Sequence, residues 1–468
     1  MTTTSPSLLP HATRDLAAFS SRLQYSDIPP QVVERIKLSV LDTIGCCLFG
    51  ITLPWTRMVL DMVESEGCLA HAALFGTGRS TSISNAVLVN STAAHAFELD
   101  DLHKESMFHS GSLTTPVALA FAEARGMSSG KDIITAMVAG YEVGTRVGNA
   151  STTELFLRGF HPQGTAGVFS AAATAARALN LDAAHTQHAL GIVGSQAGGL
   201  MAAQEGAMVK RLHSGRAAQS GVYAALLAQR GFTGITDVLE APYGGFLSSL
   251  SGKPNAQKLT AGLGTVWETL KVGYKPHAAV AAIHTALDAL AAIMRGHKLA
   301  AGDIASVDVG LSHPTHVHCA WPYQPQGGIM AAQMNLYYSM AVMALDGAAF
   351  VDQYSERRLA DPEVLAFASR VHAHVDPAID AMGGEFRHAS RLTVATNDGR
   401  RINLEMLHRR GSPENPLAPA DVVHKFRNVM RSCLSPARME RVIDLVQSLE
   451  ELDNTGELIG ILGAPTAS

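Results

Sequence analysis

Several stretches of this chain set titratable side chains beside glycine or proline in apolar surroundings, where acid–base chemistry could be housed. The first holds His95, Glu98, Asp100, Asp101 and His103, followed by His109-Ser-Gly-Ser112. On a helix His95 and Glu98 share a face, as do Glu98 and Asp101, so acids and imidazoles crowd a helix end. That is a station for a general acid and base; the alternative is a solvated terminus with capping aspartates. The second is Gly159-Phe-His-Pro-Gln-Gly164, leading into an Ala-rich helix from Thr165. N–H groups at a helix start favour an anion, and His161 would meet it there; otherwise the histidine satisfies a loop carbonyl. The third runs from Glu205 to Arg216 and gathers Lys210, Arg211, His213 and Arg216 before another Ala-rich helix. It is a candidate carboxylate clamp, or else a basic surface loop.

Lys271-Val-Gly-Tyr-Lys-Pro-His277 is the fourth, at a change of texture where a site between domains could form. It brings Lys271, Lys275 and His277, unless it is an ordinary linker with solvated lysines. Tyr337 and Tyr338 are the fifth; in an apolar helix they read first as core tyrosines. His313-Pro-Thr-His-Val-His318 with Cys319 looks like a metal site but is rejected. On a strand His316 and His318 would share a face with no acidic or sulfur partner, so a loop at a strand end is expected. No C-x-x-C occurs, and G-x-G-x-x-G after a strand, the P-loop and G-x-S-x-G are missing. No metal, iron–sulfur or nucleotide cofactor is therefore expected.

The elements that must position these groups are mostly helical. Of 468 residues, 47% are hydrophobic and 16% charged, enough for a large core in two domains. A net charge of −5 argues against nucleic acid or an anionic membrane as partner, so an anionic substrate needs a local cationic cluster. The Thr/Ser-rich N-terminus has no secretory pattern, no apolar run reaches about 18 residues, and five cysteines make no disulfide framework; a cytoplasmic protein is expected. After Asp27, Pro29 and Pro30 start a helix carrying Val33, Ile36, Val40 and Ile44. Ala-rich helices are predicted around 83–99, 114–125, 130–148, 164–179, 182–197 and 216–229. From about 265 the pattern mixes: a helix at 277–295, a strand at 305–311, helices at 329–346 and 361–370, then two alternating runs joined by Asn397-Asp-Gly399 as a hairpin. Helices return at 421–430 and 439–449. The expected fold is mainly α with a smaller α+β domain: 1–267 and 409–468 form an all-helical bundle, and 268–408 an α+β lid.

Taken in order, these residues resemble the MmgE/PrpD family over nearly the whole chain. The likeness lies in Ile28-Pro-Pro leading to Leu41-Asp-Thr-Ile-Gly-Cys46, in Glu98-Leu-Asp-Asp101 with His109-Ser-Gly, and in Gly159-Phe-His-Pro-Gln-Gly-Thr165. It continues through Met208-Val-Lys-Arg-Leu-His-Ser-Gly-Arg-Ala-Ala218, Lys271 to His277 and Asn335-Leu-Tyr-Tyr-Ser339, and ends with Pro413-Glu-Asn-Pro-Leu417 and Lys425-Phe426. The resemblance implies a homodimer, no metal, and an active site in the crevice between domains. It also implies active-site histidines at His109, His161 and His277, lysines at Lys210 and Lys271, an acid within Glu98 to Asp101, and a tyrosine at Tyr338. This chain departs from the usual pattern with Leu102 for Thr, Ser110 for Pro and Arg211 for Pro. Its Gly-Tyr-Lys-Pro-His order leaves the register of Lys271 against Lys275 open.

Family members include 2-methylcitrate dehydratase, cis-aconitate decarboxylase and iminodisuccinate epimerase, which all build carbanion character beside a carboxylate. The expectation is a metal-independent lyase of a small polycarboxylate, foremost dehydration of a 2-methylcitrate-like hydroxy acid. Epimerisation of a substituted dicarboxylate and decarboxylation follow. Lys210, with Lys271 or Arg216, would clamp carboxylates; His161 and Asp101 lead as base and acid, with His109 and His277 completing the pocket. A non-catalytic acid-binding protein on the same fold is the rival, which scattered histidines would favour and convergence around Lys210 would oppose.

Overall fold

Where small residues dominate, the chain folds into helices that approach closely. The computed structural model describes residues 9–126 and 128–466; the N-terminal residues 1–8 read above lie outside them. Among the described residues up to 229, nine α-helices build the larger part: α1 Ala12–Arg22, α2 Pro30–Gly50, α3 Pro54–Glu66, α4 Ile83–Ala94, α5 Ser110–Ala124, α6 Gly130–Leu157, α7 Gly167–Ala178, α8 Ala183–Gly194 and α9 Val209–Gln229. Pro30 opens α2 at its first turn, as its fixed φ favours. A reciprocal Ser129–Asp132 capping box starts α6. α7 lies at the centre, packed against α5, α6, α8 and α9. At Gly215 of α9 an added Cβ would fall 2.4 Å from the Leu88 carbonyl and 2.1 Å from Thr92 Oγ1, so the glycine sets how closely α9 crosses α4.

Two elements differ from expectation at places that matter. The helix predicted to 99 stops at Ala94, and residues 95–101 turn irregularly, with Glu98 at a φ of 55°. Acids and imidazoles therefore do not share a helix face there. The segment 313–319, expected as a loop, is a helix (His313–Cys319) whose N-terminus Ser312 caps by accepting from the Thr315 N–H.

The α+β part carries a four-stranded sheet in the order Val371–Val375, Ile304–Leu311, Ser390–Thr396, Arg401–Met406. The first pair is parallel and the others antiparallel, the last being the predicted hairpin with Gly399 at a φ of 88°. Strand Val371–Val375 has no predicted counterpart. Helix His284–His297 packs on the sheet, and the expected helix at 329–346 divides at Asn335 into Gly328–Met334 and Leu336–Asp346. The helices Pro419–Met430 and Pro436–Gln447 return to α2, where Lys425 pairs with Asp42 at 2.6 Å. Among the described residues no single helix is long and apolar enough to cross a membrane, and the five cysteines are unbridged.

Candidate active site

A cavity of about 230 Å³ opens between the helical bundle and the α+β part. The bundle contributes Glu98, His109, His161 and Lys210; the α+β side contributes Lys275, His318, Arg387 and His388. Three features of the chain bring these groups together. Residues Leu102–His103 pair antiparallel with Val272–Gly273, which carries Lys275 to the 95–103 turn. The close crossing of α4 and α9 sets Lys210 and Arg211 beside the same turn. Lys425, distant in sequence, donates to the Leu99 carbonyl and pins the residue next to Glu98.

Glu98 is the hub. Lys210 and Arg211 meet its Oε1, the latter at 2.7 Å, and Lys275 meets Oε2 at 2.9 Å. Burial opposes its charge, yet the three cations hold the carboxyl well below the usual range. One carboxylate among three buried cations leaves positive potential facing the cavity, which suits a polyanion. Burial drives Lys210 down to about 8 against the pull of Glu98. Glu98 and Met107, both beside the cavity, hold φ values of 55° and 58°; left-handed backbone at non-glycine residues costs about 1 kcal/mol or more and collects at functional sites.

From the bundle side two imidazoles face the space, each beside its own partner. Asp100 Oδ1 lies 3.2 Å from His109 Nδ1, while its Oδ2 meets His95 Nδ1 at 2.8 Å. Burial would raise the Asp100 carboxyl, but the two imidazoles keep it well below its usual range. These three residues have the donor types of a metal site; here one carboxylate oxygen hydrogen-bonds His95 and the other lies against His109. With Nδ1 turned to Asp100, His109 is left with Nε2 for the cavity. His161 Nδ1 meets His213 Nδ1 at 2.8 Å, so one ring donates and the other accepts. Burial and Lys210 hold His161 well below the usual imidazole range and His213 at about 4, so both are neutral at pH 7. Gln163 joins the two stations, accepting from the His109 N–H at 2.8 Å and donating to Ser112 and Ser214.

Comparison with known proteins covers most of the chain. The MmgE/PrpD N-terminal domain matches residues 14–258 and the MmgE/PrpD C-terminal domain residues 277–451. The chain belongs to the MmgE/PrpD family. It is 31% identical to a cis-aconitate decarboxylase of Aspergillus terreus, over 97% of this chain and 96% of that protein. It is 31% identical to the cis-aconitate decarboxylase-like protein oryM of Aspergillus oryzae, over 99% of each. Against the cis-aconitate decarboxylase of Homo sapiens the identity is 27%, over 98% of this chain and 96% of that protein.

Within this MmgE/PrpD chain the residues singled out from sequence divide sharply. Glu98, His109, His161, Lys210 and Lys275 meet at the cavity, and Asp100 and His213 stand behind the two imidazoles. The open register resolves in favour of Lys275, because Lys271 points outward to Glu268 at 2.9 Å and lines a neighbouring hollow. His103 also turns to Glu268, at 3.2 Å, away from the cavity. His277, in the bend at 276–279, pairs with Asp288 at 2.9 Å and does not line the cavity. Arg216, one turn beyond Lys210 and Arg211 on α9, is exposed and meets Gln219. Asp101 accepts from the Gly111 N–H at 3.0 Å and from Tyr141 at 2.7 Å; it anchors α5 and does not reach the cavity. Burial pushes its carboxyl up to about 7. Tyr338 is a core tyrosine, donating to the Gln353 carbonyl at 2.5 Å.

Sequence reasoning found Lys275 but missed the rest of the α+β side of the cavity. His318 belongs to the cluster rejected as a metal site, and only the helix at 313–319 turns it inward, where burial and Lys210 lower it to about 4. Arg387 donates to the Lys104 carbonyl across the two parts and so helps hold them together. No local spacing marked Arg387 or His388, since both sit in a short connection before strand Ser390–Thr396.

Proposed function

We propose that this protein is a lyase that decarboxylates a small unsaturated tricarboxylate of the cis-aconitate type. The observation that carries the reading is the convergence of Lys210, Lys275, His109 and His161 on one cavity in a chain related end to end to proteins named cis-aconitate decarboxylase. Lys210 and Lys275, with Arg387 opposite, hold the carboxylates that remain. The C–C bond to the carboxylate on the methylene carbon breaks and CO2 leaves. Its electron pair stays as an allylic carbanion, shared with the carbon that bears the far carboxylate. Cations preorganised around Glu98 stabilise that charge as it develops. His109, entering this step with both ring nitrogens protonated, gives its Nε2 proton to the far carbon, and the neutral ring regains a proton from solvent. His161, neutral and held by His213, hydrogen-bonds a carboxylate. Convergence of two histidines around Lys210 speaks for catalysis over a non-catalytic acid binder.

A second reading, dehydration of a 2-methylcitrate-like hydroxy acid, draws on the same two separately anchored imidazoles, which would serve as acid and base. Chelator-treated protein incubated in deuterated water with cis-aconitate, 2-methylcitrate and citrate separates the two by proton NMR. Release of CO2 from cis-aconitate with one deuterium in the product supports decarboxylation. Vinylic product from 2-methylcitrate alone overturns it in favour of dehydration. Silence toward all three refutes both.

A further inference from the structure

Behind the α+β wall of the cavity lies a buried arginine that the reaction above does not use. Arg409 is 2% exposed, and its Nε, Nη1 and Nη2 all lack a hydrogen-bond partner. A guanidinium withdrawn from water with every donor unpaired is an expensive arrangement, retained where something anionic answers it. Its surroundings are built rather than incidental. The turn carrying Arg409 is fastened on two sides, by the Arg410 N–H to Asp288 at 2.8 Å and by the Tyr274 N–H to the Gly411 carbonyl at 2.9 Å. An added Cβ at Gly273 would stand 3.1 Å from Nη2, so the guanidinium rests over bare backbone.

Two histidines stand near it, of which His388 can donate. His284 and His388 both lie within its electrostatic reach, and the Nδ1 atom of each is buried and unpaired. Thr285 donates to the His388 carbonyl at 2.5 Å, which locks the elements carrying these histidines together. His284 Nε2 donates to the Ala279 carbonyl at 3.0 Å, so Nδ1 of this neutral ring is an acceptor and offers an anion no donor. The nearby acids are engaged elsewhere, Asp288 by His277 and Arg410 and Glu414 by Lys104 at 3.7 Å, and among the described residues neither makes an ion pair with Arg409.

We infer that Arg409, with His388, forms a buried site for a carboxylate or halide behind the cavity wall. His388 lines the cavity as well, so two sources could fill the site: a carboxylate of the bound substrate, or a free inorganic anion.

Bromide tests this on the intact protein, by anomalous scattering in crystals and by thermal melts in sodium bromide against sodium gluconate at equal ionic strength. The expected result is a bromide peak at the guanidinium and a bromide-dependent rise in Tm, both lost in Arg409→Met. Should that variant not fold, Arg409→Lys, which keeps one charge, should fold and bind bromide at least about tenfold more weakly. Tricarballylate, a saturated tricarboxylate, separates the sources. If it displaces bromide and binds at least about tenfold more weakly to Arg409→Met, a substrate carboxylate occupies the site; if bromide stays beside it, the anion is a free one. The inference is overturned by a crystal structure with Arg409 paired to Asp288 or Glu414, or by equal bromide responses in wild type and variant. Neither arm involves turnover, so the result is independent of the decarboxylase reading.

Discussion

Each bundle-side imidazole at the cavity stands against a different kind of partner, His109 against a carboxylate and His161 against a second neutral imidazole, so the two rings are not interchangeable. Replacing His161 with Ala should lower turnover of the active substrate by about 10²-fold or more while Tm stays within a few degrees. Full activity in that variant would remove His161 from the site. Lys210 makes the pH dependence specific. Its amine, lowered to about 8, is charged below that pH and loses its proton as pH rises through it, so kcat/KM should fall above pH 8. Arg keeps its charge to far higher pH, so Lys210→Arg should move that alkaline limb upward even if overall activity drops. An unchanged limb in a pH–rate series would assign it to another group.

At the scale of elements, the site depends on the α4–α9 crossing and on the turn that follows α4. An alanine at Gly215 would push α9 away from the Leu88 carbonyl, a backbone atom that no side-chain rotation can move aside. Gly215→Ala should destabilise the protein by about 1–3 kcal/mol and weaken substrate binding together, because Lys210 and Arg211 ride on the displaced helix. Calorimetry and KM on one preparation test the link; a lower Tm with an unchanged KM would show that the site tolerates the shift. The helical stretches were legible because small residues recur at helical spacing in α5 to α9. The early end of α4 was not, since Ala94 to Phe97 are as compatible with helix as the residues before them. It is the tertiary ion pairs of Glu98 that hold its left-handed backbone.

Over the whole molecule, the cavity exists only where two regions meet, joined by the Leu102–His103 ladder, the Arg387–Lys104 bond and Gln333. The last accepts from Arg211 at 3.2 Å and donates to the Phe97 and Ala278 carbonyls. A bound tricarboxylate should therefore slow amide exchange on both sides at once, in residues 95–110 and in residues 384–390. Hydrogen exchange with and without tricarballylate measures this. Protection confined to the bundle would mean that Arg387 and His388 do not face the ligand.

By itself the sequence determined the fold class and the family. Helical periodicity, hairpin turn chemistry and ordered motifs are properties of neighbouring residues, and they also marked Glu98, His109, His161 and Lys210. Only the tertiary structure decided which marked residues reach one space. His277 lies two residues after Lys275 yet faces Asp288, and Arg216 shares α9 with Lys210 yet faces solvent. His318, Arg387 and His388 arrive from the other side of the cavity. A side chain's direction depends on where the chain turns and what packs against it, and those contacts join residues hundreds of positions apart, as Lys425 does with Leu99.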